Sequence, residues 1–102
     1  MIVIKNLSKQ IKEEICDAEK YAKEALMNKD TDKSLADTYY TLATQELQHM
    51  DMLHQQVVRL INDYRSKKGE PPADMQARYD YIHEEQIESV KEVKILLSMY
   101  KG

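Results

Sequence analysis

The sequence predicts an all-α protein that consists of three long helices in a single domain, residues 1–102. The chain has only two glycines and two prolines, and its one internal cluster of them is Gly69-Glu70-Pro71-Pro72. A second break, residues 28–32, is polar. Between these breaks, strong helix formers carry apolar residues at the 3.6-residue period of a helix. Helices this long in so short a chain indicate a bundle without a sheet.

The first two helices are bounded by residues that start or stop helices. The first is expected over about residues 7–27, before the polar break. Thr31 or Asp32 is expected to cap the second helix, because a short polar side chain accepts a hydrogen bond from a backbone N–H of the first turn. The second helix then covers about residues 33–68, and Gly69 ends it. At 1.5 Å per residue, its length is on the order of 50 Å.

The third helix is expected to begin at residue 72 or 73, since proline is tolerated in a first helical turn, and to end near residue 101. His83 lies inside its apolar stripe. Glu84, Glu85 and Glu88 point away from that stripe and are expected to form a solvated face.

Composition limits the classes of function. The net charge is −3 without a basic block, so nothing predicts a nucleic-acid partner. No apolar run is long enough for a membrane span or a secretory signal. A single cysteine excludes a disulfide-stapled scaffold and fits the reducing cytoplasm. Because so small a chain with a mean hydropathy of −0.69 buries only a modest core alone, a homo-oligomer is expected, with a dimer favoured.

The second helix carries the main functional signal, a polar pair on its apolar face. Its apolar stripe consists of Leu35, Tyr39, Leu42, Ala43, Met50, Leu53, Val57, Leu60, Ile61 and Tyr64. Glu46 falls at the centre of this stripe, His49 at one edge and His54 at the other. A carboxylate on an apolar face is costly unless it is paired or binds a metal. Glu46-x-x-His49 puts a carboxylate and an imidazole on the same side of one turn, and both are ligands for iron, manganese or zinc.

The other two helices each offer a further candidate ligand. The buried stripe of the first helix is predicted as Leu7, Ile11, Ile15, Ala18, Ala22, Ala25 and Leu26. Glu14 lies at its border, and Tyr21 follows about two turns later on the same flank. With His83 on the third helix, the candidate metal ligands are therefore Glu14, Glu46, His49 and His83. In carboxylate-bridged di-iron bundles, two helices each give a Glu and two others each give a Glu-x-x-His, so this chain holds half a set.

These residues resemble those of ferritin-like proteins of the ferritin–rubrerythrin type. Glu14 with Tyr21 and Glu46-x-x-His49 carry the resemblance, which extends over most of the chain but depends on short motifs. The sequence is also similar to half-size ferritins that rebuild the bundle by dimerising, and to short proteins of bacteria and their phages. It departs from the family in two ways. The fourth helix is absent. In addition, the residue that matches the family's third-helix glutamate, Glu84, is predicted to face solvent, and the periodicity buries His83 instead.

The resemblance implies an antiparallel ferritin-like bundle completed by oligomerisation, with a di-iron centre in which manganese or zinc is also possible. Glu46 would bridge two metals, Glu14 and His49 would be terminal ligands, and His83 would be a further ligand or would orient the site. Tyr21 is the candidate catalytic residue, since its hydroxyl would lie near the metals or carry a radical. The implied activity is that of a ferroxidase, the oxidation of ferrous iron by dioxygen or peroxide.

Each candidate also has a plainer interpretation. Glu46 and His49 can form a hydrogen-bonded pair that sets the register of a dimer without metal. Glu14 can lie at the edge of the bundle, His83 can be a satisfied core histidine, and Tyr21 can serve in packing. The alternative function is then a non-enzymatic helical assembly or adaptor protein with a polar Glu/His core. Convergence of the candidate ligands favours the metal, and scattered positions favour the adaptor.

Overall fold

The computed structural model describes residues 2–102 apart from the side chains of Met75 and Arg78. Over these residues the chain forms three α-helices, α1 (Ile2–Asn28), α2 (Lys33–Lys68) and α3 (Ala73–Lys101), and no strand. The predicted all-α class is confirmed, as are the bounds of the second and third helices. The molecule is elongated, with extents of 56 × 19 × 17 Å.

Local capping sets the bounds of α2. The Asp32 side chain accepts a hydrogen bond from the backbone N–H of Leu35 at 3.1 Å, so Asp32 rather than Thr31 is the N-cap. At the other end, Gly69 adopts a φ of 81° and donates its backbone N–H to the Arg65 carbonyl at 3.0 Å. Only glycine takes this left-handed backbone conformation without strain, which explains why α2 stops here.

The predicted start of the first helix was wrong, because α1 begins at Ile2 rather than near residue 7. Ile4 and Leu7 are partly buried and pack against the core. Tertiary packing of this apolar face therefore extends the helix beyond the point that local signals indicate, as is usual for amphipathic helices.

The core lies along α1, which packs against both other helices, while α2 and α3 contact each other only lightly. The buried residues of the main cluster are Ile11, Ile15, Ala18, Ala22, Ala43, Val57, Ile61 and Val93. The predicted stripe of the first helix is confirmed, since its isoleucines and alanines are buried and its two leucines are partly buried. Alanines on both α1 and α2 let these two helices approach closely, which brings their polar border residues together as well.

Side-chain contacts join α1 and α2 at two separate places along their interface. Tyr21 stacks on Tyr39 with ring centroids 6.0 Å apart, whereas the earlier Glu14 meets the later His49 at 3.5 Å. None of the helices, as far as the chain is described, has both the length and the apolar composition needed to cross a membrane.

Candidate metal centre

Glu14, Glu46 and His49 meet at the border between α1 and α2, and we call this group the carboxylate cluster. Each offers one donor atom, and the three atoms lie within 4.8 Å of one another. His49 Nδ1 is 3.5 Å from Glu14 Oε2 and 3.9 Å from Glu46 Oε1. The spacing of three residues on α2 aligns Glu46 with His49, and the close α1–α2 packing supplies Glu14 from the opposite helix.

The carboxylate cluster is covered on the carboxylate side and open on the imidazole side. The side chain of Glu46 is 18% exposed and that of Glu14 is 27% exposed, whereas that of His49 is 56% exposed. A cavity of about 320 Å³ borders Glu14 and His49, and Met52 and Leu53 contribute apolar side chains to its lining. An ion therefore has a path from solvent to donors that are themselves partly removed from water.

The charge balance of the cluster is unusual. The pKa of Glu46 is raised to about 7, first by a hydrogen bond with the Glu14 carboxyl, then by burial and by the negative charge of Glu14, while His49 acts in the opposite direction. Glu14 Oε2 is buried and has no hydrogen-bond partner. His49 is the only basic side chain that pairs with either carboxylate in the described part of the chain. Two neighbouring carboxylates thus share one imidazole as their only basic partner among the described residues, and a proton or a cation can supply further positive charge.

The donor set fits a divalent transition-metal ion. Oxygen and nitrogen donors bind such ions at about 2.0–2.2 Å, so two donors on one ion lie roughly 3–4.4 Å apart. Both measured distances to His49 Nδ1, 3.5 and 3.9 Å, fall in this range. Two carboxylates and an imidazole suit iron, manganese and zinc. Three protein donors leave coordination positions for water, a substrate or donors from another chain.

Two of the predicted site residues lie outside the carboxylate cluster. His83 stacks on His54 of α2, with ring centroids 4.9 Å apart, and on Tyr79, at 5.8 Å. Tyr21 is partly buried against the core, where its ring contacts Tyr39. The structure therefore groups three of the four predicted ligands and gives Tyr21 a packing contact.

Sequence reasoning missed the partners of two polar groups. The sequence predicts His54 at the edge of the α2 stripe but gives no indication of its contact with His83. Burial and the neighbouring His83 lower the pKa of His54. Tyr100 is buried, at 7% exposure, and its hydroxyl donates to Asp37, a contact that no motif in the sequence indicates. Helical periodicity places a residue on a face and does not identify its neighbour on another helix, so no sequence signal indicated either contact.

Comparison with known proteins gives no match, neither to a family model, nor to a curated protein, nor to a solved structure. The resemblance to ferritin-like proteins therefore stays a prediction.

Proposed function

We propose that the chain binds a transition-metal ion, with iron as the first candidate, through Glu14, Glu46 and His49. The observation that carries this proposal is the convergence of two carboxylates and one imidazole at the α1–α2 border, where no lysine or arginine of the described chain pairs with the carboxylates. A buried Glu14 oxygen without a partner is costly, and a bound cation removes that cost. Manganese and zinc suit the same donors.

The proposed assembly is an antiparallel, ferritin-like bundle that two copies complete. The contacts of Tyr21 with Tyr39 and of Glu14 with His49 support the antiparallel pairing of α1 and α2. A homodimer that brings two such helix pairs together contributes two glutamates and two Glu-x-x-His motifs, the set that holds a di-iron centre. In that arrangement Glu14, Glu46 and His49 of each copy would hold the metals.

The proposed activity is the oxidation of ferrous iron, the substrate, by dioxygen or peroxide. Glu14 and Glu46 bring hard oxygen donors and negative charge, which stabilise the ferric product more than the ferrous substrate. The exposed His49 gives the substrate access from solvent. Because the pKa of Glu46 is raised to about 7 without metal, binding at or below that pH would displace a proton from this carboxyl group. His83 is left out of this ligand set, and a catalytic role for Tyr21 stays a prediction.

The test is metal content combined with iron oxidation. The protein is loaded with ferrous iron without oxygen, desalted, analysed for metal and exposed to air while ferric absorbance is followed. Wild type is expected to retain near-stoichiometric iron and to oxidise it, and the double variant Glu46→Ala/His49→Ala is expected to lose both properties. The matched control, Glu85→Ala, removes an exposed carboxylate of α3 and is expected to behave as wild type.

A second candidate function, helical assembly without metal, is favoured by the apolar surface of the chain. Large apolar side chains remain exposed, among them Ile2 at 77%, Met27 at 73% and Met52 at 65%. Association with other helices would cover such side chains. Wild-type protein that retains no iron, manganese or zinc while remaining helical and oligomeric would overturn the metal proposal and support this one.

A further inference from the structure

A second group of potential ligands lies between α2 and α3, apart from the carboxylate cluster. The imidazoles of His54 and His83 stack with centroids 4.9 Å apart and ring planes 19° from parallel. Both side chains are half-buried. They line a surface cavity of about 320 Å³, and the polar residues beside them in this lining are Asp51, Gln86, Lys91 and Lys94.

The rings contact each other and Tyr79 by their faces. Face-to-face contact leaves the nitrogen-bearing edges of both imidazoles free of hydrogen bonds within the described residues. Neutral imidazole is the commonest metal ligand of proteins. Two such rings on different helices, whose nitrogens are not used by other described residues, are therefore placed to bind one ion.

We infer that His54 and His83 form a second metal site, one that takes an imidazole-preferring ion such as Zn²⁺, Ni²⁺ or Cu²⁺ and links α2 to α3. Two imidazoles on one ion have centroids roughly 4.5–6 Å apart, because each bound nitrogen lies about 2.0–2.1 Å from the ion. The observed 4.9 Å lies in that range. Rotation about the Cβ–Cγ bond of histidine is soft, so both rings can turn a nitrogen toward a shared ion without moving the helices.

Asp51 adds negative charge beside the two imidazoles. It lies one turn before His54 on α2 and lines the same cavity, and this charge favours the approach of a cation. The nearby Lys91 is held by Glu88, whose carboxylate is 3.4 Å from its ammonium group. This ion pair reduces the positive charge that Lys91 presents to an incoming cation, so that Lys94 is the main positive group left in the lining.

A metal ion held by His54 and His83 would attach α3 to α2. Because α2 and α3 contact each other only lightly, an ion held by one histidine from each helix joins elements that otherwise meet mainly through α1. An ion that binds only the folded chain stabilises it, and at about 100 times its dissociation constant it raises the melting temperature by roughly 10–20 °C.

The test uses the variant Glu46→Gln/His49→Gln, which removes two donors of the carboxylate cluster and leaves His54 and His83 as the only histidines of the chain. Zinc is titrated into this variant while the imidazole proton signals are followed by NMR and the melting temperature is measured. Both imidazole signals are expected to shift together and to saturate at one zinc per chain, with the rise in melting temperature given above. Adding His83→Gln is expected to weaken zinc binding at least tenfold.

Three outcomes would overturn the inference: neither signal shifts, only one shifts, or the His83→Gln substitution leaves zinc affinity unchanged. Circular dichroism without metal shows whether each variant is folded, and His54→Gln provides a second route if His83→Gln is not. Copper as a probe adds a direct readout, since the electron paramagnetic resonance spectrum is expected to carry coupling from two nitrogens before the substitution and from one after it. Loss of this site leaves iron binding at Glu14, Glu46 and His49 intact, so the two proposals fail separately.

Discussion

Two carboxylates on α2, those of Asp37 and Glu46, have opposite surroundings. Asp37 Oδ1 accepts a hydrogen bond from Lys33 Nζ at 2.7 Å and another from the Tyr100 hydroxyl. These bonds, that of Lys33 first, lower the pKa of Asp37. Glu46 has Glu14 as its main neighbour, and its pKa is raised to about 7. The same helix therefore holds one carboxylate that accepts hydrogen bonds from a lysine and a tyrosine and one whose main neighbour is another carboxyl group.

The difference separates a structural group from a group suited to bind a ligand. Asp37 helps to hold the end of α3, because Tyr100 is buried, stacks on Tyr40 at 5.1 Å and lies under the ammonium groups of Lys29 and Lys33. These contacts supply Asp37 with hydrogen-bond donors and positive charge, so a bound ion would add little at this carboxylate. Glu46 shares its surroundings with another carboxyl group, so the region gains most from a proton or a metal ion. Residue type alone does not distinguish the two, whereas the neighbours do.

The largest expected effect is on metal affinity. Glu46→Gln is expected to weaken binding of Mn²⁺, a paramagnetic probe for this donor set, at least about 100-fold, because loss of a direct ligand exceeds the 10–100-fold loss typical for a group that only supports a ligand. Asp37→Asn, the matched change at the partnered carboxylate, is expected to leave the dissociation constant unchanged. Titration of free Mn²⁺ followed by electron paramagnetic resonance measures both constants. Equal weakening in the two variants would remove the distinction between the sites.

The next effect is a pair of opposite pH dependences in metal-free protein. The folded-state pKa of Glu46, about 7, lies above its ordinary 4.5, so the folded state binds a proton that the unfolded state has lost. The stability from this group is present below pH 4.5 and is lost as the pH rises through about 7. The pKa of Asp37 is lowered from 3.8, so its contribution is present above that pH and is lost as the pH falls through the lowered value.

Urea unfolding across the pH range, with a chelator present, checks both signs. Glu46→Gln is expected to flatten the decline in the free energy of unfolding between about pH 4.5 and 7, since the amide does not titrate. Asp37→Asn is expected to leave that decline in place and to flatten the loss on the acid side. A Glu46→Gln variant whose stability still falls as steeply toward neutral pH would show that another group is responsible.

The sequence predicts contacts within one helix better than contacts between helices, and the reason is physical. The bounds of α2 and the alignment of Glu46 with His49 depend on residues close together in the chain, so capping and periodicity predicted them. Glu14 was predicted as a border residue, and the close packing of α1 on α2 placed it beside them. The α2–α3 contact of His54 with His83 depends on the rotation and register of separate helices, which a helical wheel does not contain.

The smallest expected effect is on stability and on the pKa of Asp37, the carboxylate that has hydrogen-bond donors. Tyr100→Phe keeps the stack on Tyr40 but removes the hydroxyl that donates to Asp37. Since Lys33 still neutralises Asp37, the loss is limited to one hydrogen bond, and the melting temperature is expected to fall by only a few degrees. The substitution is also expected to move the pKa of Asp37 back toward 3.8, because the Tyr100 hydrogen bond is its second-largest cause of lowering. Carboxyl carbon NMR shifts across an acid titration measure that pKa, and an unchanged value would assign the lowering to Lys33 alone.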